Sequence, residues 1–235
     1  MYMSSDCGIG IIKRVHNNYS HIYAHYAHHA EQLQKLKEEI GEKLILIQDD
    51  FSLESSGQVI LDIIDKIGKC PEHIIHLPAP NYQNYKFVKA GWSPFEQGIQ
   101  TSLRSCITVL QGIIPRMIKE KKGGRIIFML SSYTNNNPPR FTAPYVTVKY
   151  ALLGLMKELS VEYADKGIMV NGISPGMMET KFLKDVPELL VQQNAENSPF
   201  GRNLNIEEVV PLFEFLLSDE TARITGQNIV VSGGM

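Results

Sequence analysis

The sequence is poor in several features, and each shortage excludes a class of protein. Its 235 residues include three scattered cysteines, too few for a disulfide framework or a CxxC metal site. Lys and Arg total 23 against 25 Asp and Glu, and the formal net charge of -2 gives no basic surface for nucleic acid or anionic lipid. No apolar run approaches the ~18 residues of a membrane span, and residues 1–5 lack the basic and apolar regions of a signal peptide. We therefore expect a reduced, cytoplasmic protein with no nucleic-acid partner and no membrane partner.

Short apolar runs alternate along the chain with longer segments of helical period. This alternation is typical of a parallel sheet whose strands are joined by crossover helices. Most of the runs are continuously apolar, as expected of strands that are covered on both faces. The candidate strands are residues 44–48, 74–77, 125–130, 168–173 and 228–231.

Five segments carry an apolar stripe at helical spacing, at residues 33–40, 59–67, 94–120, 145–167 and 205–216. Ser52 is a candidate N-cap for the second segment, and Asn205 with Glu208 predicts a capping box at the start of the last. No repeat, linker or low-complexity tract divides the chain. We therefore predict one domain over residues 1–235, an α/β Rossmann-like, doubly wound parallel sheet with helices on both faces.

Two stretches lack a regular pattern. Residues 78–92 contain two prolines and two tyrosines with little periodicity, which predicts a loop near the ligand-binding edge of the sheet. Residues 179–202 have a weak helical pattern at 182–191 followed by Asn-Ser-Pro-Phe-Gly-Arg, which suggests a mobile flap.

Tyr145 and Lys149 stand four residues apart near the start of a predicted helix, so their side chains project from one face. An ammonium beside a phenol favours the phenolate and lowers its pKa from the ordinary value of about 10. Ser131 and Ser132 follow a predicted strand, where a hydroxyl can hydrogen-bond a substrate carbonyl. By spacing alone the pair is a weak signal, because a packed tyrosine and a solvated lysine are common on helices.

Four motifs in register add specificity to this pair. They are Gly-Gly-Arg-Ile-Ile-Phe-Met-Leu-Ser-Ser at 123–132, Tyr-Val-Thr-Val-Lys at 145–149, Val-Asn-Gly-Ile-Ser-Pro-Gly-Met-Met-Glu-Thr at 170–180, and Ile-Thr-Gly-Gln-Asn-Ile-Val-Val-Ser-Gly-Gly-Met at 224–235. From about residue 44 to its end, the sequence resembles the short-chain dehydrogenase/reductase family, particularly its 3-oxoacyl-acyl-carrier-protein reductases. The resemblance implies a nicotinamide cofactor across the carboxyl edge of a parallel sheet.

The resemblance also implies a reaction, in which hydride passes from the nicotinamide to a carbonyl carbon while Tyr145 protonates the oxygen. Lys149 would lower the pKa of the tyrosine and hold the nicotinamide ribose, and Ser132 would orient the carbonyl. Ser102 aligns with the family's catalytic asparagine and retains a hydroxyl. The implied substrate is a 3-oxoacyl thioester or a similar carbonyl, small or carrier-bound, and the implied assembly is a homo-oligomer, either a dimer or a tetramer.

The dinucleotide motif at the N-terminus is degenerate. Where the family has a strand followed by TGxxxGxG, this sequence keeps Gly8, Ile9 and Gly10 but has Ser4 at the first glycine. Asp6 adds a negative charge close to the expected phosphates. Only three residues precede Ser4, which reduces a central strand to a stub. Either neighbouring packing compensates for the short strand or the sequence starts late.

Other cofactor positions also depart from the family pattern. Ala79 lies in Leu-Pro-Ala-Pro, which replaces the family's NNAG, while Asp50 matches an adenine-side acid or is a surface residue beside a helix. Residues 23–26 offer no acid for NAD, and no Arg or Lys for NADP, so the reductase resemblance favours NADP slightly and leaves NAD open. The residues predicted to bind the cofactor are Ser4, Gly8, Ile9, Gly10, Asp50, Phe51, Ala79, Tyr145, Lys149, Pro175, Gly176, Met178 and Thr180. These departures support an alternative, a catalytically impaired or partner-dependent family member with weak or no cofactor binding.

Four histidines, His21, His25, His28 and His29, stand at spacings that allow a shared metal. No Cys, Asp or Glu at a suitable spacing completes a site beside them. We therefore predict surface histidines and no metal site.

Overall fold

The structure, a computed structural model, describes residues 5–79 and 82–235. In these ranges six strands form the middle layer of an α/β fold, as predicted. They are β1 Ile22–Tyr26, β2 Leu44–Gln48, β3 His73–His76, β4 Gly124–Met129, β5 Ile168–Pro175 and β6 Asn228–Val231. The strands β4 and β5 are buried along their whole length, because helices cover both of their faces. The apolar pattern does not predict β1, because two tyrosines and a histidine interrupt its apolar residues.

The helices of the described ranges are α1 Asp6–Val15, α2 Glu31–Ile40, α3 Gln58–Ile67, α4 Ser93–Gly98, α5 Ser105–Glu120, α6 Ala143–Glu162, α7 Glu188–Asn197 and α8 Ile206–Leu217. A π-helical segment, Ile99–Arg104, joins α4 to α5. Helix α8 starts with the predicted capping box of Asn205 and Glu208. The prediction of Ser52 as an N-cap is wrong, since α3 starts after Gly57, a glycine with φ +88°. In the described ranges, no helix is long and apolar enough to cross a bilayer.

The two stretches predicted to be irregular, at 78–92 and 179–202, differ in how much regular structure they contain. In the first, residues 82–92 contain one short 3₁₀ helix, Phe87–Lys89, and otherwise no regular structure. The second is largely helical, because the 3₁₀ helix Lys181–Asp185 and then α7 occupy most of it. The stretch at 179–202 is therefore more regular than expected, and α7 begins within the weak pattern at 182–191 and extends beyond it to Asn197.

All strand pairs are parallel, and they form two groups. The strand β1 pairs with β2, while the other four follow the order β3-β4-β5-β6. Between β1 and β3 lies a cavity of about 550 Å³, here called the slot, which both of these strands line. In the described part of the chain, no strand connects the two groups across it.

Apolar side chains pack on both faces of the strand layer. One cluster joins α3, α5 and α6 to the strands, and the other joins α1, α2 and α8 to the opposite face. Each fully buried Ile or Leu in such a cluster contributes roughly 1.5–3 kcal/mol relative to exposure. The two clusters hold the strand ends, and with them the candidate site, in place.

Candidate active site

The carboxyl ends of β4 and β5 open into a cavity of about 610 Å³, here called the edge cavity. The start of α6 and the segment after β5 complete its wall. Parallel strands bring their carboxyl ends to one edge of the sheet, which is where α/β folds bind ligands. The predicted site residues that line this cavity are Ala79, Ser132, Tyr145, Lys149, Pro175, Gly176, Met178 and Thr180.

Tyr145 and Lys149 project from the first two turns of α6 into the edge cavity. Both side chains are buried, with Lys149 only 1% exposed. The Lys149 ammonium donates a hydrogen bond to the Met129 carbonyl oxygen at 2.8 Å, and its Nζ lies 5.7 Å from the centroid of the Tyr145 ring. The end of β4 therefore fixes the lysine beside the tyrosine.

Burial dominates the protonation of this pair. It lowers the pKa of Lys149 from 10.5 to about 7, because the ammonium loses its hydration inside the protein. Burial raises the pKa of Tyr145 above its ordinary value, and Tyr133 raises it further. The expectation that Lys149 lowers the pKa of Tyr145 is therefore not met, because desolvation opposes the phenolate.

The serine that interacts with the Tyr145 phenol is Ser131, the residue before the predicted Ser132. The Ser131 side chain hydrogen-bonds Tyr145 and opposes the rise in its pKa. Ser131 has extended backbone angles at the end of β4, and its Oγ also accepts a hydrogen bond from the Tyr133 amide at 3.3 Å. Ser132 begins the next 3₁₀ helix, so its side chain takes a different direction while still lining the cavity.

Aromatic rings enclose the Tyr145 side chain. The Tyr82 ring packs edge-on at 5.4 Å between centroids, and the rings of Tyr133 and Phe182 lie 6.3 Å away. Sequence reasoning did not assign these three residues to the site. The signal available for Tyr82 was its place in the irregular stretch at 78–92, because loops at the carboxyl edge carry ligand contacts.

Two polar residues have structural roles here: Asn171, from the motif at 170–180, and Ser102, which aligns with the family's catalytic asparagine. Asn171 of β5 donates from Nδ2 to the Ile224 carbonyl oxygen at 2.7 Å and accepts from the Gln227 amide, so it joins β5 to the segment before β6. Ser102 is fully buried in the π-helical segment and does not line the edge cavity. Within the described residues its hydroxyl has no hydrogen-bond partner. Direct contact between Ser102 and a substrate is therefore not supported.

The degenerate glycine motif forms the start of a helix. Ser5 caps α1 by accepting a hydrogen bond from the Gly8 amide at 3.1 Å, which places Gly8, Ile9 and Gly10 inside the helix and outside the cavity wall. A Cβ atom on Gly10 would lie 3.1 Å from Ile206 Cγ2, so this glycine allows α1 to pack closely against α8. The prediction that these three residues contact a cofactor is therefore not supported. Ser4 lies outside the described residues.

Asp6 lies in the wall of the edge cavity, at the N-terminus of α1. Its carboxylate accepts a hydrogen bond from the Lys181 amide at 2.8 Å and lies 3.5 Å from the Lys181 Nζ. A helix N-terminus attracts anions, so the Asp6 carboxylate takes a position that also suits a phosphate. The conflict between Asp6 and the phosphates of a dinucleotide stays a prediction, and the Lys181 ammonium lies close enough to balance the Asp6 charge.

The adenine-side residues lie away from the edge cavity. Phe51 is buried and stacks on the His25 ring at 3.9 Å, while Asp50 accepts from the Ser52 amide and pairs with His28 at 3.8 Å. The prediction of a surface position is confirmed for His28 and His29, which are exposed. It is wrong for His25, which is 1% exposed and has a pKa lowered to about 3 by burial. Among the described residues, no group of three or more His, Cys, Asp and Glu is placed to hold a metal ion.

The fold and the arrangement at the carboxyl edge define a class of protein. A family model described as enoyl-(acyl carrier protein) reductase matches residues 4–235, and the chain belongs to this family of short-chain dehydrogenases/reductases. The predicted family resemblance is thereby confirmed.

Among its relatives, the chain is 31% identical over 208 residues to an NADPH-dependent aldehyde reductase-like protein of Arabidopsis thaliana, covering 85% of this chain and 75% of the relative. It is 37% identical over 139 residues to the 3-oxoacyl-(acyl-carrier-protein) reductase FabG of Buchnera aphidicola, covering 58% of this chain. That alignment spans 55% of FabG, little more than half of its length.

Solved structures show the same fold. An acetoin dehydrogenase from Salmonella typhimurium superposes with a TM-score of 0.86 over 99% of this chain and 93% of its own, at 22% identity. A 3-oxoacyl (acyl-carrier-protein) reductase from Agrobacterium tumefaciens with NADP bound gives 0.87 over 99% and 91%, at 20% identity. These likenesses establish the α/β fold of the chain.

Proposed function

We propose that the protein reduces a carbonyl group with NAD(P)H, with Tyr145 as the proton donor. The observation that carries this proposal is the buried group of Ser131, Tyr145 and Lys149 in the wall of the edge cavity, where Ser131 hydrogen-bonds Tyr145 and the Lys149 Nζ lies 5.7 Å from the centroid of the Tyr145 ring. A neutral phenol held beside a second hydroxyl is suited to hydrogen-bond a carbonyl oxygen and to protonate it.

The nicotinamide half of a dinucleotide fits the residues of the edge cavity better than the phosphate half does. Pro175, Gly176 and Thr180 supply the wall after β5, and the Lys149 amine supplies a hydrogen-bond donor for ribose. When bound, the reduced nicotinamide would supply the hydride. The Asp6 carboxylate at the start of α1 disfavours the phosphate half.

In this proposal Ser131, Tyr145 and Lys149 have different roles in proton transfer. Ser131 and Tyr145 both donate hydrogen bonds to the substrate carbonyl oxygen, and the Tyr145 proton moves to that oxygen as the carbon gains hydride. A raised tyrosine pKa keeps this proton in place until charge develops on the oxygen. Protonated Lys149 then stabilises the phenolate that remains, since it lies on the same helix face.

The substrate proposed is a 3-oxoacyl thioester or a similar carbonyl compound. The apolar walls formed by Tyr82, Tyr133 and Phe182 suit an acyl chain beside the reacting carbonyl. The FabG relative is named for such substrates. NADP is preferred over NAD in this proposal, because one relative is named as NADPH-dependent.

The test measures oxidation of NADPH and of NADH after addition of an acetoacetyl thioester. The loss of cofactor fluorescence reports the oxidation. Reduction of the thioester to its 3-hydroxy form, identified by mass spectrometry, is the expected result. A purified protein that binds NADPH but consumes none with thioester, aldehyde or simple ketone substrates would contradict the proposal.

The two adjacent serines give a matched pair of variants. We expect Ser131→Ala to lower kcat/KM about 10²-fold, because it removes a donor to the carbonyl oxygen. Ser132→Ala is expected to change it less than about threefold, since its hydroxyl is not the one that contacts Tyr145. Steady-state kinetics with both variants decides which serine donates to the carbonyl oxygen. A larger loss of kcat/KM in Ser132→Ala than in Ser131→Ala would show that Ser132 is the donor.

A second candidate is a family member with weak cofactor binding that depends on a partner or has lost catalysis. The Asp6 carboxylate at the start of α1 favours this candidate, because it competes with phosphate for the same helix end. Titration calorimetry with NADPH and NADH separates the two, since micromolar binding of either cofactor counts against the second.

Removing the charge of Asp6 is expected to strengthen dinucleotide binding. Asp6→Asn keeps the size of the side chain but removes the negative charge, so the Kd for NADPH should fall about 5- to 10-fold. Glu31→Gln, which removes another charge from the cavity wall, is the control. An unchanged Kd in Asp6→Asn would show that phosphates bind elsewhere.

The homo-oligomeric state and the cytoplasmic location stay predictions. Helix α6 exposes Tyr150 and Val161, at 47% and 79% of their surfaces. Apolar side chains at such positions are available for a second copy of the chain. Sedimentation equilibrium measures the oligomeric state directly.

A further inference from the structure

Three large apolar side chains are exposed on the segment that precedes α4. The 3₁₀ helix Phe87–Lys89 carries two of them, with Phe87 73% and Val88 89% exposed. Trp92, three residues after this helix, is 63% exposed. Single apolar side chains on a surface are ordinary, but a group of them within six residues marks an interaction site.

The segment that precedes α6 adds a fourth exposed ring. The Tyr85 amide donates a hydrogen bond to the Phe141 carbonyl oxygen at 2.8 Å, so the two segments meet at these residues. Phe141 is exposed and has φ +71°, in the left-handed region that a bulky residue rarely adopts. Backbone strain of this kind is concentrated at functional sites. Residues 85–92 together with Arg140 and Phe141 are here called the tip.

The tip is basic. Lys86 precedes the 3₁₀ helix, Lys89 ends it, and Arg140 lies on the second segment, all three of them exposed. Residues 73–95 contain no Asp or Glu, and neither do residues 126–148. No ion pair joins any of these three cations to another residue of the ranges that the structure describes. The net charge of -2, from which the sequence predicts no membrane partner, is a sum over the whole chain and does not register this local excess of cations.

Exposed aromatic rings with flanking cations are typical of segments that bind at the surface of a bilayer. Trp and Phe side chains are stable at the level of the lipid headgroups, and lysine side chains beside them extend to the phosphates of anionic lipids. The exposed fractions of Phe87 and Val88 show that these side chains stand out from the surface. Such side chains enter a lipid interface without a preformed pocket, whereas a folded protein partner needs a cavity of matching shape.

A second copy of the chain is a poorer occupant of the tip. A symmetric dimer brings the same surface of both copies together. A dimer formed through the tip would therefore place Lys86, Lys89 and Arg140 opposite like charges, and the tip contains no acid to pair with them.

We propose that the tip binds the surface of a bilayer that contains anionic lipids, with its apolar side chains among the headgroups and its three cations at lipid phosphates. Tyr82, in the wall of the edge cavity, lies three residues before Tyr85, so binding through the tip holds this cavity close to the bilayer. The proposal does not depend on the catalytic activity proposed above.

The first test uses the fluorescence of Trp92, which is the only tryptophan of the chain and therefore reports the environment of the tip. Vesicles of equal parts phosphatidylcholine and phosphatidylglycerol should shift its emission to shorter wavelength, and lipids brominated in their acyl chains should quench it. Vesicles of phosphatidylcholine alone should bind about tenfold more weakly, because they lack the negative surface that attracts the cations. No shift and no quenching with the anionic vesicles would overturn the proposal.

The second test removes the apolar side chains of the tip. The double variant Phe87→Ser, Val88→Ser should bind the anionic vesicles about tenfold more weakly in co-sedimentation, because less apolar surface leaves water on binding. Its urea midpoint of unfolding should stay at the parent value, since both side chains are exposed. The control is Val161→Ser, which removes an exposed apolar side chain near the C-terminal end of α6. An equal loss of binding in the control would overturn the assignment to the tip.

The third test removes cations of the tip. The double variant Lys86→Gln, Lys89→Gln should lose most of the preference for anionic over neutral vesicles. The matched control is Lys66→Gln, Lys69→Gln, which removes two exposed lysines at the same spacing outside the tip and should keep the preference. A preference that survives in the first variant would overturn the role of the lysines.

Other occupants of the tip give different results in the same fluorescence measurement. With an acidic polypeptide as the partner, soluble polyglutamate should shift the Trp92 emission as far as the anionic vesicles do. With a second copy of the chain as the partner, dilution of the protein alone should shift the emission to longer wavelength as the dimer dissociates. Either result would overturn the choice of a bilayer.

Discussion

Replacing Tyr145 by Phe is expected to lower kcat/KM for carbonyl reduction by about 10³-fold. A positioned general acid contributes roughly 10²–10⁴ in rate, and the phenol hydroxyl is the group that meets Ser131 in the edge cavity. The ring itself packs among Tyr82, Tyr133 and Phe182, and the phenylalanine ring preserves those contacts. The fold and the affinity for NADPH should therefore stay close to those of the parent.

The control for this prediction is a neighbouring tyrosine. Tyr82→Phe removes a hydroxyl from a residue in the wall of the same cavity and should lower kcat/KM less than about fivefold. Thermal unfolding and NADPH titration of both variants show whether the loss is chemical. Parent-like turnover in Tyr145→Phe would exclude Tyr145 as the acid.

Replacing Lys149 by Met is expected to remove activity while stabilising the fold at low pH. The folded-state pKa of about 7 is below the ordinary 10.5, so the unfolded chain binds more protons between these values. The free energy of unfolding of the parent therefore rises with pH from about 7 to 10.5, and below 7 the folded protein carries the full cost of the buried charge. Each pKa unit corresponds to about 1.4 kcal/mol, so the advantage of Lys149→Met should shrink by on the order of 2 kcal/mol between pH 6 and 9.

Urea unfolding of parent and variant at pH 6 and pH 9 measures this difference. The matched control is Lys157→Met, a change at an exposed lysine of the same helix. For this control, the difference in the free energy of unfolding between variant and parent should be about the same at both pH values. A variant that is equally destabilised at both pH values would show that the Lys149 charge is not penalised in the folded state.

The same titration predicts the pH dependence of catalysis. If protonated Lys149 supports the Tyr145 phenolate during the reaction, kcat/KM of the parent should fall as the pH rises through about 7, since this ratio reports groups of the free enzyme. A profile that stays flat from pH 6 to 9 would exclude the ammonium as the active form.

The contrast between Ser131 and Ser132 shows where local sequence reasoning stops. Successive side chains of a strand point to opposite faces, so a shift of one residue reverses which hydroxyl reaches Tyr145. The strand β4 ends at Met129, Ser131 keeps extended backbone angles, and a 3₁₀ helix begins at Ser132. Their directions follow from backbone angles at that junction, which the residue types alone did not reveal.

The sequence by itself determined the structural features that depend on residues close together in the chain. Apolar periodicity predicted most strands and helices, the capping residues predicted the start of α8, and the spacing of Tyr145 and Lys149 placed both side chains on one face of α6.

The tertiary structure decided what depends on residues far apart in the chain. It placed Asp6 against Lys181, turned the glycine motif into a helix packed on α8, and left β1 and β3 separated by the slot. Desolvation also depends on the assembled fold, and it reverses the expected shift in the pKa of Tyr145. These features are set by which surfaces meet when the chain folds, because strand pairing, ion pairing and burial are energies between distant segments.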